Sequence, residues 1–412
     1  MERARTRGQA AALVAVDAMV RGPAPHAVLL VGPDGVGKTT LALDLAAGLL
    51  CTADATERPC RACRACRLVE HGSHPDLHLL GPAGPGRQVV IGGPDAKYRG
   101  VKDLIGELQL MPVEGGARVA IIEAADRMNE DAQSALLKTL EEPPAGVTII
   151  LCADAEARLL PTVRSRCFRV RLGLVGPRDI EAIVADHGLA DPPTAARLGR
   201  LAGGRPGLAL AYARTPDAVL LRAELTRVLL DMTDAGAALR LATARAAVPR
   251  AIALSVALSS DPTAGTTPVK ARGRRAAAAA TASAAAASLD QPAAATEPEP
   301  DEDPAADPDA TLAGPARTPA VERRRGVEVL LGLWTDVARD LVLVAAGGAR
   351  SVRDTVLLEE LTSIATTIDP TDAEAFLARA ARSAEWLATN VSPELILDTL
   401  ALAWPRRSVA AA

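Results

Sequence analysis

A glycine-rich segment near the N-terminus has the pattern of a phosphate-binding loop. Residues 32–39 read Gly-Pro-Asp-Gly-Val-Gly-Lys-Thr, between an apolar run and a helical pattern. In such a loop the glycines turn backbone N–H groups toward phosphate oxygens, the lysine reaches the β- and γ-phosphates, and the next hydroxyl can bind Mg²⁺. The sequence therefore predicts a site for ATP with Mg²⁺, formed by Gly32, Asp34, Gly35, Gly37, Lys38, Thr39 and Thr40.

The segment that should complete an ATPase lacks the usual acidic pair. Residues 121–126 read Ile-Ile-Glu-Ala-Ala-Asp, so Glu123 takes the first acidic position and Ala124 the second. Glu123 is the acidic residue that we expect beside the nucleotide. Alanine cannot accept a proton or orient water, and loss of a general base lowers turnover about 10²–10⁴-fold. The sequence thus predicts nucleotide binding without turnover.

Four of the six cysteines lie close together and have the spacing of a metal site: Cys51, Cys60, Cys63 and Cys66. Four thiolates fill the tetrahedral coordination of Zn²⁺ and leave no open position, so we expect a structural zinc rather than a catalytic one. A reactive thiol or a disulfide set is the alternative. His71 and His74 could replace one cysteine, whereas Cys152 and Cys167 are expected to be buried fillers.

Composition narrows the class of protein. The chain has 412 residues, 49% of them hydrophobic, and a formal net charge of −4. That charge argues against nucleic-acid binding over the whole surface and favours protein partners. We find no secretory leader pattern and no strongly apolar run of about 18 residues. A cytoplasmic protein with no membrane contact is expected.

The elements that position these residues follow an α/β pattern and then an all-α pattern. Residues 1–172 carry strand-like runs at Ala27–Val31, Leu77–Leu80, 119–122 and 147–151, with helical patterns at 41–50, 104–110 and 131–140. This alternation predicts a P-loop α/β domain, with the zinc module at 51–66. Residues 173–213 predict a small helical lid, and 214–412 a helical domain. Low hydrophobic bulk and many prolines predict a disordered insert at about 261–322, with an interaction motif as the alternative.

Several motifs together resemble the clamp loader of the bacterial DNA polymerase III holoenzyme, an AAA+ assembly. They are the phosphate-binding loop, the cysteine spacing, the run Ala-Gln-Ser-Ala-Leu-Leu-Lys-Thr-Leu-Glu-Glu-Pro-Pro at 132–144 and Ser-Arg-Cys at 165–167. Residues 390–395 are similar to the collar signature of that family. The resemblance implies a hetero-pentameric ring that opens a sliding clamp and loads it on primed DNA during replication. It also implies that 214–412 is the collar domain.

Within that family, Ala124 points to the subunit that does not hydrolyse ATP. The resemblance then implies that Arg166 is an arginine finger, acting in trans on a neighbouring ATPase subunit. Its alternative is a structural salt bridge, and the segment 159–164 before it is expected to run from strand to loop. Arg205 of the lid either touches nucleotide or is an ordinary solvated arginine.

Two other interpretations remain open for the whole chain. One is a clamp-loader ATPase subunit of the gamma and tau type, which would turn over ATP by itself. The other is a zinc-bearing DNA-binding module that uses the arginines of the cysteine cluster, namely Arg58, Arg61, Arg64 and Arg67. ATP hydrolysis by the isolated chain would favour the first, and steeply salt-dependent DNA binding would favour the second.

Overall fold

The computed structural model describes residues 3–83, 88–94, 96–114, 116–259, 319–387 and 391–407. Its sheet has five parallel strands: β1 (Ala27–Val31), β2 (Leu77–Leu80), β3 (Arg118–Ile122), β4 (Val147–Ala153) and β5 (Phe168–Arg171). The strand order is β2-β3-β4-β1-β5. β1 therefore lies between β4 and β5, and the loop that follows β1 emerges at the carboxyl edge of the sheet.

Four strands match the sequence prediction, and the fifth was missed. β1 and β2 have the predicted bounds, while β3 begins one residue earlier and β4 ends at Ala153. β5 pairs only with β1, and Val170 is its one buried residue. A strand at the edge of a sheet does not need a continuous apolar run, so its sequence lacks the signal that identified the buried strands.

Helices cover both faces of the sheet: α1 (Ala10–Arg21), α2 (Lys38–Leu50), α3 (Arg64–Glu70), α4 (Val101–Leu108), α5 (Glu130–Glu141) and α6 (Pro161–Arg164). Val28 and Leu30 of β1 pack with α1 and α2 on one face. Leu29 packs with α4 and α5 on the other. The prediction that 159–164 runs from strand to loop was wrong, because Pro161 begins the one-turn helix α6.

Three short helices occupy the segment predicted to be a lid, and we keep that name for them: α7 (Pro177–Asp186), α8 (Pro192–Leu201) and α9 (Pro206–Arg214). Each begins at a proline, which suits the first helical turn because the N–H that proline lacks has no partner there. Ile180, Val184, Ala195 and Ala209 form a small apolar core between them. The helices lie within about two residues of the predicted patterns.

Six helices follow: α10 (Pro216–Asp231), α11 (Ala237–Ser259), α12 (Ala320–Ala345), α13 (Leu358–Ala365), α14 (Pro370–Leu387) and α15 (Pro393–Ala403). Their core includes Trp334, Phe376 and Trp404, and the Phe376 and Trp404 rings meet edge to face at 4.8 Å between centroids. The predicted insert at 261–322 lies outside the described residues, apart from 319–322. Of these, Ala320 begins α12, so the end of the expected insert is helical.

Among the described helices, α11 is long and apolar enough to cross a membrane by length and composition, with a mean hydropathy of 1.4. We did not single out this run in the sequence, and one such helix is weak evidence for a membrane span. The helix packs against α12 and α15. Arg240 is fully buried in it and donates to the carbonyls of Trp404 and Pro405, and Arg245 pairs with Asp398 at 2.6 Å. These contacts hold α11 in the C-terminal bundle.

Candidate nucleotide and metal sites

The predicted phosphate-binding loop joins the carboxyl end of β1 to the amino end of α2. Gly35 and Gly37 have φ angles of 76° and 101°, which side chains other than glycine's rarely adopt. Asp34 is exposed, and Thr39 and Thr40 lie half-buried in the first turn of α2. Within the loop, no backbone N–H from Asp34 to Gly37 donates to a backbone carbonyl. The structure thus brings the predicted residues together at a helix N-terminus, where free N–H groups favour an anion.

Lys38 is buried and fully engaged. Its ammonium donates to the carbonyls of Gly32 and Pro33, both at 2.8 Å. It also forms an ion pair of 2.6 Å with Asp154, the residue directly after β4. We did not predict a role for Asp154. Parallel strands end at the same edge of a sheet, so a residue just after β4 lies near the loop that follows β1. An acidic residue at that position is a sequence signal that could have identified Asp154.

The predicted acidic residue lies at the end of β3. The backbone N–H of Glu123 donates to Leu80, and burial raises the pKa of its carboxyl group. Ala124 has a left-handed backbone with φ 50°. Asp126, which the sequence analysis left without a role, is buried, accepts the N–H of Asp154 at 3.2 Å and lies 4.0 Å from Arg158. The buried carboxyl group of Asp126 and the more exposed one of Asp154 therefore lie on the side of the loop where Lys38 points.

The lid lies directly on the loop. The N–H of Gly207, at the start of α9, donates to the carbonyl of Gly35 at 2.9 Å. A Cβ atom on Gly207 would lie 3.3 Å from Gly35, so the two backbones nearly touch. The guanidinium of Arg205 donates to the carbonyl of Ala202 at 3.3 Å, in its own turn. This hydrogen bond is compatible with either role considered for Arg205.

The four predicted metal-ligating cysteines converge. Their sulfur atoms all lie within 4.8 Å of one another, and the Cys51 and Cys63 sulfurs are 3.9 Å apart. Zn–S bonds of about 2.3 Å at tetrahedral angles place sulfurs about 3.8 Å apart, so the cluster can hold a metal ion of this size. All four cysteines are free thiols, in contrast to the alternative of a disulfide set.

Backbone N–H groups point at these sulfurs. Cys60 donates to the sulfur of Cys51, Cys63 to that of Cys60, and Cys66 to that of Cys63, at 3.3–3.4 Å. Burial raises the pKa of the Cys63 thiol, but N–H donors from Cys66 and Thr52 outweigh it and lower the pKa to about 6. Such donors stabilise thiolates, which are the form that binds metal.

The residues around the cluster are tied to the fold. Arg61 pairs with the buried carboxylate of Asp44 in α2, and Arg64 pairs with Glu114. Arg58 donates to the carbonyl of Ala53 at 2.7 Å. Asp44 also accepts the N–H of Thr6 at 2.9 Å, a role that the sequence did not reveal. Three of the four arginines that a DNA-binding module would use are therefore committed to contacts within the chain.

The remaining predicted residues lie away from the cluster. His74 is buried, its Nδ1 accepts the N–H of Asp76 at 3.1 Å, and its Nε2 is 3.5 Å from Glu114. His71 ends α3. Burial raises the pKa of Cys152 to about 12 and that of Cys167 to about 11, which suits unreactive fillers.

Arg166 lies in the turn between α6 and β5. Its side chain is 35% exposed and pairs with Glu141 at the end of α5, at 2.6 Å. It also donates to the carbonyl of Thr162 at 3.0 Å. Both the trans finger and the salt bridge considered from the sequence are compatible with this geometry, because the guanidinium has five N–H donors.

Comparison with known proteins identifies the relatives. The family model described as "DNA polymerase III, delta subunit" matches residues 10–175. The delta' subunit of DNA polymerase III from Pseudomonas aeruginosa is 37% identical over 183 residues, which are 44% of this chain and 53% of that protein. The chain is similar to DNA polymerase III subunit delta'. The resemblance predicted from the motifs is thereby confirmed over the matched residues.

A second group of relatives is also similar to the chain. The tau subunit of DNA polymerase III from Salmonella typhimurium is 32% identical over 177 residues, 42% of this chain and 26% of that protein. The chain spans about half the length of the delta' relatives that it matches, and less of tau. Among solved structures, a gamma subunit-related protein of DNA polymerase III from Thermotoga maritima aligns over 94% of this chain and 97% of its own, with 14% identity and a TM-score of 0.33.

Proposed function

We propose that this chain is a delta-prime subunit of the bacterial replicative clamp loader. In that role it joins ATPase subunits and a delta subunit in a hetero-pentameric cytoplasmic ring, which opens the sliding clamp and loads it on primed DNA. The observation that carries the choice of subunit is Ala124, at the end of β3 beside Glu123. A chain with alanine in place of the second acidic residue can be part of the ring without hydrolysing ATP, because alanine cannot activate the attacking water.

In this proposal the nucleotide site is for binding and not for turnover. Free N–H groups of the loop and the hydroxyls of Thr39 and Thr40 support binding of ATP with Mg²⁺. Glu123 is the acidic residue that we assign to the Mg²⁺ ion of the nucleotide. The four cysteines hold a structural Zn²⁺, which their spacing and their converging sulfurs support.

Arg166 completes the ATP site of a neighbouring subunit. Its partly exposed side chain in the Ser-Arg-Cys turn supports this role, since an arginine finger must reach from its own chain into the neighbouring subunit. A planar guanidinium can bind two phosphate oxygens at once and stabilises charge on the transferring phosphoryl group. The pair with Glu141 is then a resting position, which Arg166 leaves when the ring assembles.

Reconstitution of the ring with ATPase subunits and a delta subunit tests the subunit assignment and the role of Arg166. We expect Arg166→Ala to assemble but to lose about 10³-fold or more of the rate at the one ATP site that it completes. The ring should keep the ATPase activity of its other sites, whereas clamp loading, which needs the sites to act together, should fall further. Stopped-flow clamp loading and steady-state ATPase measure the two effects.

Two matched variants serve as controls. Arg171→Ala removes another exposed arginine from the strand that follows, and it should leave loading unchanged. Glu141→Gln breaks the pair within the chain without removing Arg166. If Glu141→Gln reproduces the defect of Arg166→Ala, the arginine has a structural role and the finger is rejected. Failure of the wild-type chain to enter the ring would reject the subunit assignment itself.

A clamp-loader ATPase subunit is the second candidate, which the intact Lys38 and Thr39 favour. Steady ATP hydrolysis by the isolated chain, abolished by Lys38→Ala, would establish it. The DNA-binding module is disfavoured, because Arg58, Arg61 and Arg64 are committed to contacts within the chain.

A further inference from the structure

In a phosphate-binding loop the lysine ammonium binds the phosphates of the ligand. Here the carboxylate of Asp154 forms an ion pair with that ammonium, on Lys38. An ammonium group has three protons to donate. In Lys38 three acceptors take them: the carbonyls of Gly32 and Pro33 and the carboxylate of Asp154. The Lys38 side chain is 8% exposed and that of Asp154 is 34% exposed, so water reaches the carboxylate but hardly the ammonium. No proton of Lys38 is left for a phosphate oxygen while the pair with Asp154 is intact.

Backbone bonds fix the position of Asp154. Ala153, the last residue of β4, is in register with Val31 of β1, and its carbonyl accepts the N–H of Gly32 at 3.2 Å. The next residue must therefore lie beside the start of the loop. The N–H of Asp154 donates to Asp126 at 3.2 Å, which holds this turn from the other side. The sheet register therefore places Asp154 beside Lys38.

The site is short of positive charge. Glu123, Asp126 and Asp154 lie on the side of the loop where Lys38 points, and Arg158 approaches Asp126 only at 4.0 Å. These charges also act on the buried thiol of Cys152. Burial and then the charge of Glu123 raise the pKa of this thiol, whereas the charge of Lys38 lowers it. A triphosphate must therefore compete with the carboxylate of Asp154 for Lys38.

We propose that Asp154 sets the affinity of this loop for nucleoside triphosphates, because it must release Lys38 before the β- and γ-phosphates can bind. The inference rests on the proposed nucleotide site, and it adds the residue that controls occupancy. When only a fraction of the protein is competent to bind, the apparent Kd rises by the inverse of that fraction. A hydrogen-bonded ion pair of this kind weakens nucleotide binding about tenfold to hundredfold.

Asp154→Asn tests the proposal in the full chain. The amide keeps the size of the side chain and the backbone N–H to Asp126, and it removes the charge. Calorimetric titration should show MgATP binding at least about tenfold more tightly to Asp154→Asn than to the wild-type chain. MgADP should gain less and adenosine should gain nothing, because Lys38 reaches only the β- and γ-phosphates.

Control variants separate the ion pair from net charge and from damage to the fold. Glu156→Gln removes a carboxylate two residues away that pairs with Arg169, and it should leave MgATP affinity within about twofold because Lys38 keeps its partner. Adding Lys38→Ala to Asp154→Asn should cancel the gain. Thermal unfolding should show that each variant is folded.

The outcomes are distinct. Equal affinity of Asp154→Asn and wild type for MgATP, both measurable, would overturn the role of Asp154 and leave the nucleotide site standing. An equal gain in MgATP affinity in Glu156→Gln would show that only net charge matters, and it would also overturn the role of Asp154. No binding of MgATP to any variant would reject the nucleotide site together with this inference. The subunit assignment would not be touched, since assembly of the ring is measured separately.

Discussion

At the scale of single residues, the phosphate-binding loop depends on the space around Gly32. This glycine follows β1 directly, and a Cβ atom on it would lie 2.5 Å from the carbonyl oxygen of Leu172. Leu172 follows β5, and its N–H donates to Val31 at 2.8 Å, so that oxygen belongs to a held backbone. A side chain at Gly32 must therefore move the strand connection next to the loop.

We expect Gly32→Ala to destabilise the chain by about 1–3 kcal/mol, the usual cost of overpacking in a well-packed site. Gly106→Ala is the matched control: it lies in α4 with nothing within 4 Å of an added Cβ, and alanine there should stabilise by up to about 1 kcal/mol. Urea unfolding of both variants measures the difference. Equal stability of Gly32→Ala and wild type would show that the Leu172 carbonyl can move aside without lowering the free energy of unfolding.

At the scale of elements, α2 links the two candidate sites. Lys38 begins this helix at the loop, and Cys51 follows its last residue at the metal cluster. Between them Asp44 is fully buried and receives Arg61 of the cysteine segment and the N–H of Thr6. Changes at the metal cluster can therefore reach the helix that supports the phosphate-binding loop.

The purified chain should contain about one zinc ion, and its removal should destabilise the α/β part, because metal binding is coupled to folding. Elemental analysis and thermal unfolding with and without a chelator check this. Cys60→Ser should lose the metal, whereas Cys167→Ser, at a half-buried site outside the cluster, should keep it. Protein purified without chelator and free of zinc would contradict the prediction.

Local patterns predicted much of the fold, and contacts across the chain explain the rest. The buried strands and the cysteine cluster carry their signal in consecutive or closely spaced residues, so the sequence was enough. β5 carries one buried residue, and no apolar run identifies it. The pair of Lys38 with Asp154 joins residues on separate strands. It depends on which strands are neighbours, and that order follows only from the assembled sheet.

At the scale of the whole molecule, the C-terminal bundle continues on both sides of the stretch that lies outside the described residues. Gly326 near the start of α12 meets the end of α11 closely, since a Cβ atom there would lie 2.8 Å from Ile252. Arg325 donates to the carbonyl of Ser255 at 3.2 Å. The end of α11 and the start of α12 therefore lie side by side.

We therefore expect that replacing residues 262–318 with a linker of about five glycine and serine residues will preserve the bundle, because antiparallel helices are commonly joined by 2–8 residues. Loop closure becomes easier by about 0.6 kcal/mol for each halving of length, so stability should rise by about 2 kcal/mol at most. Thermal unfolding and reconstitution of the ring measure the result. A scrambled insert of the same length and composition is the matched control. A lower melting temperature in the shortened chain, or assembly lost in both variants, would show that the natural sequence of 262–318 makes contacts that the bundle or a partner requires.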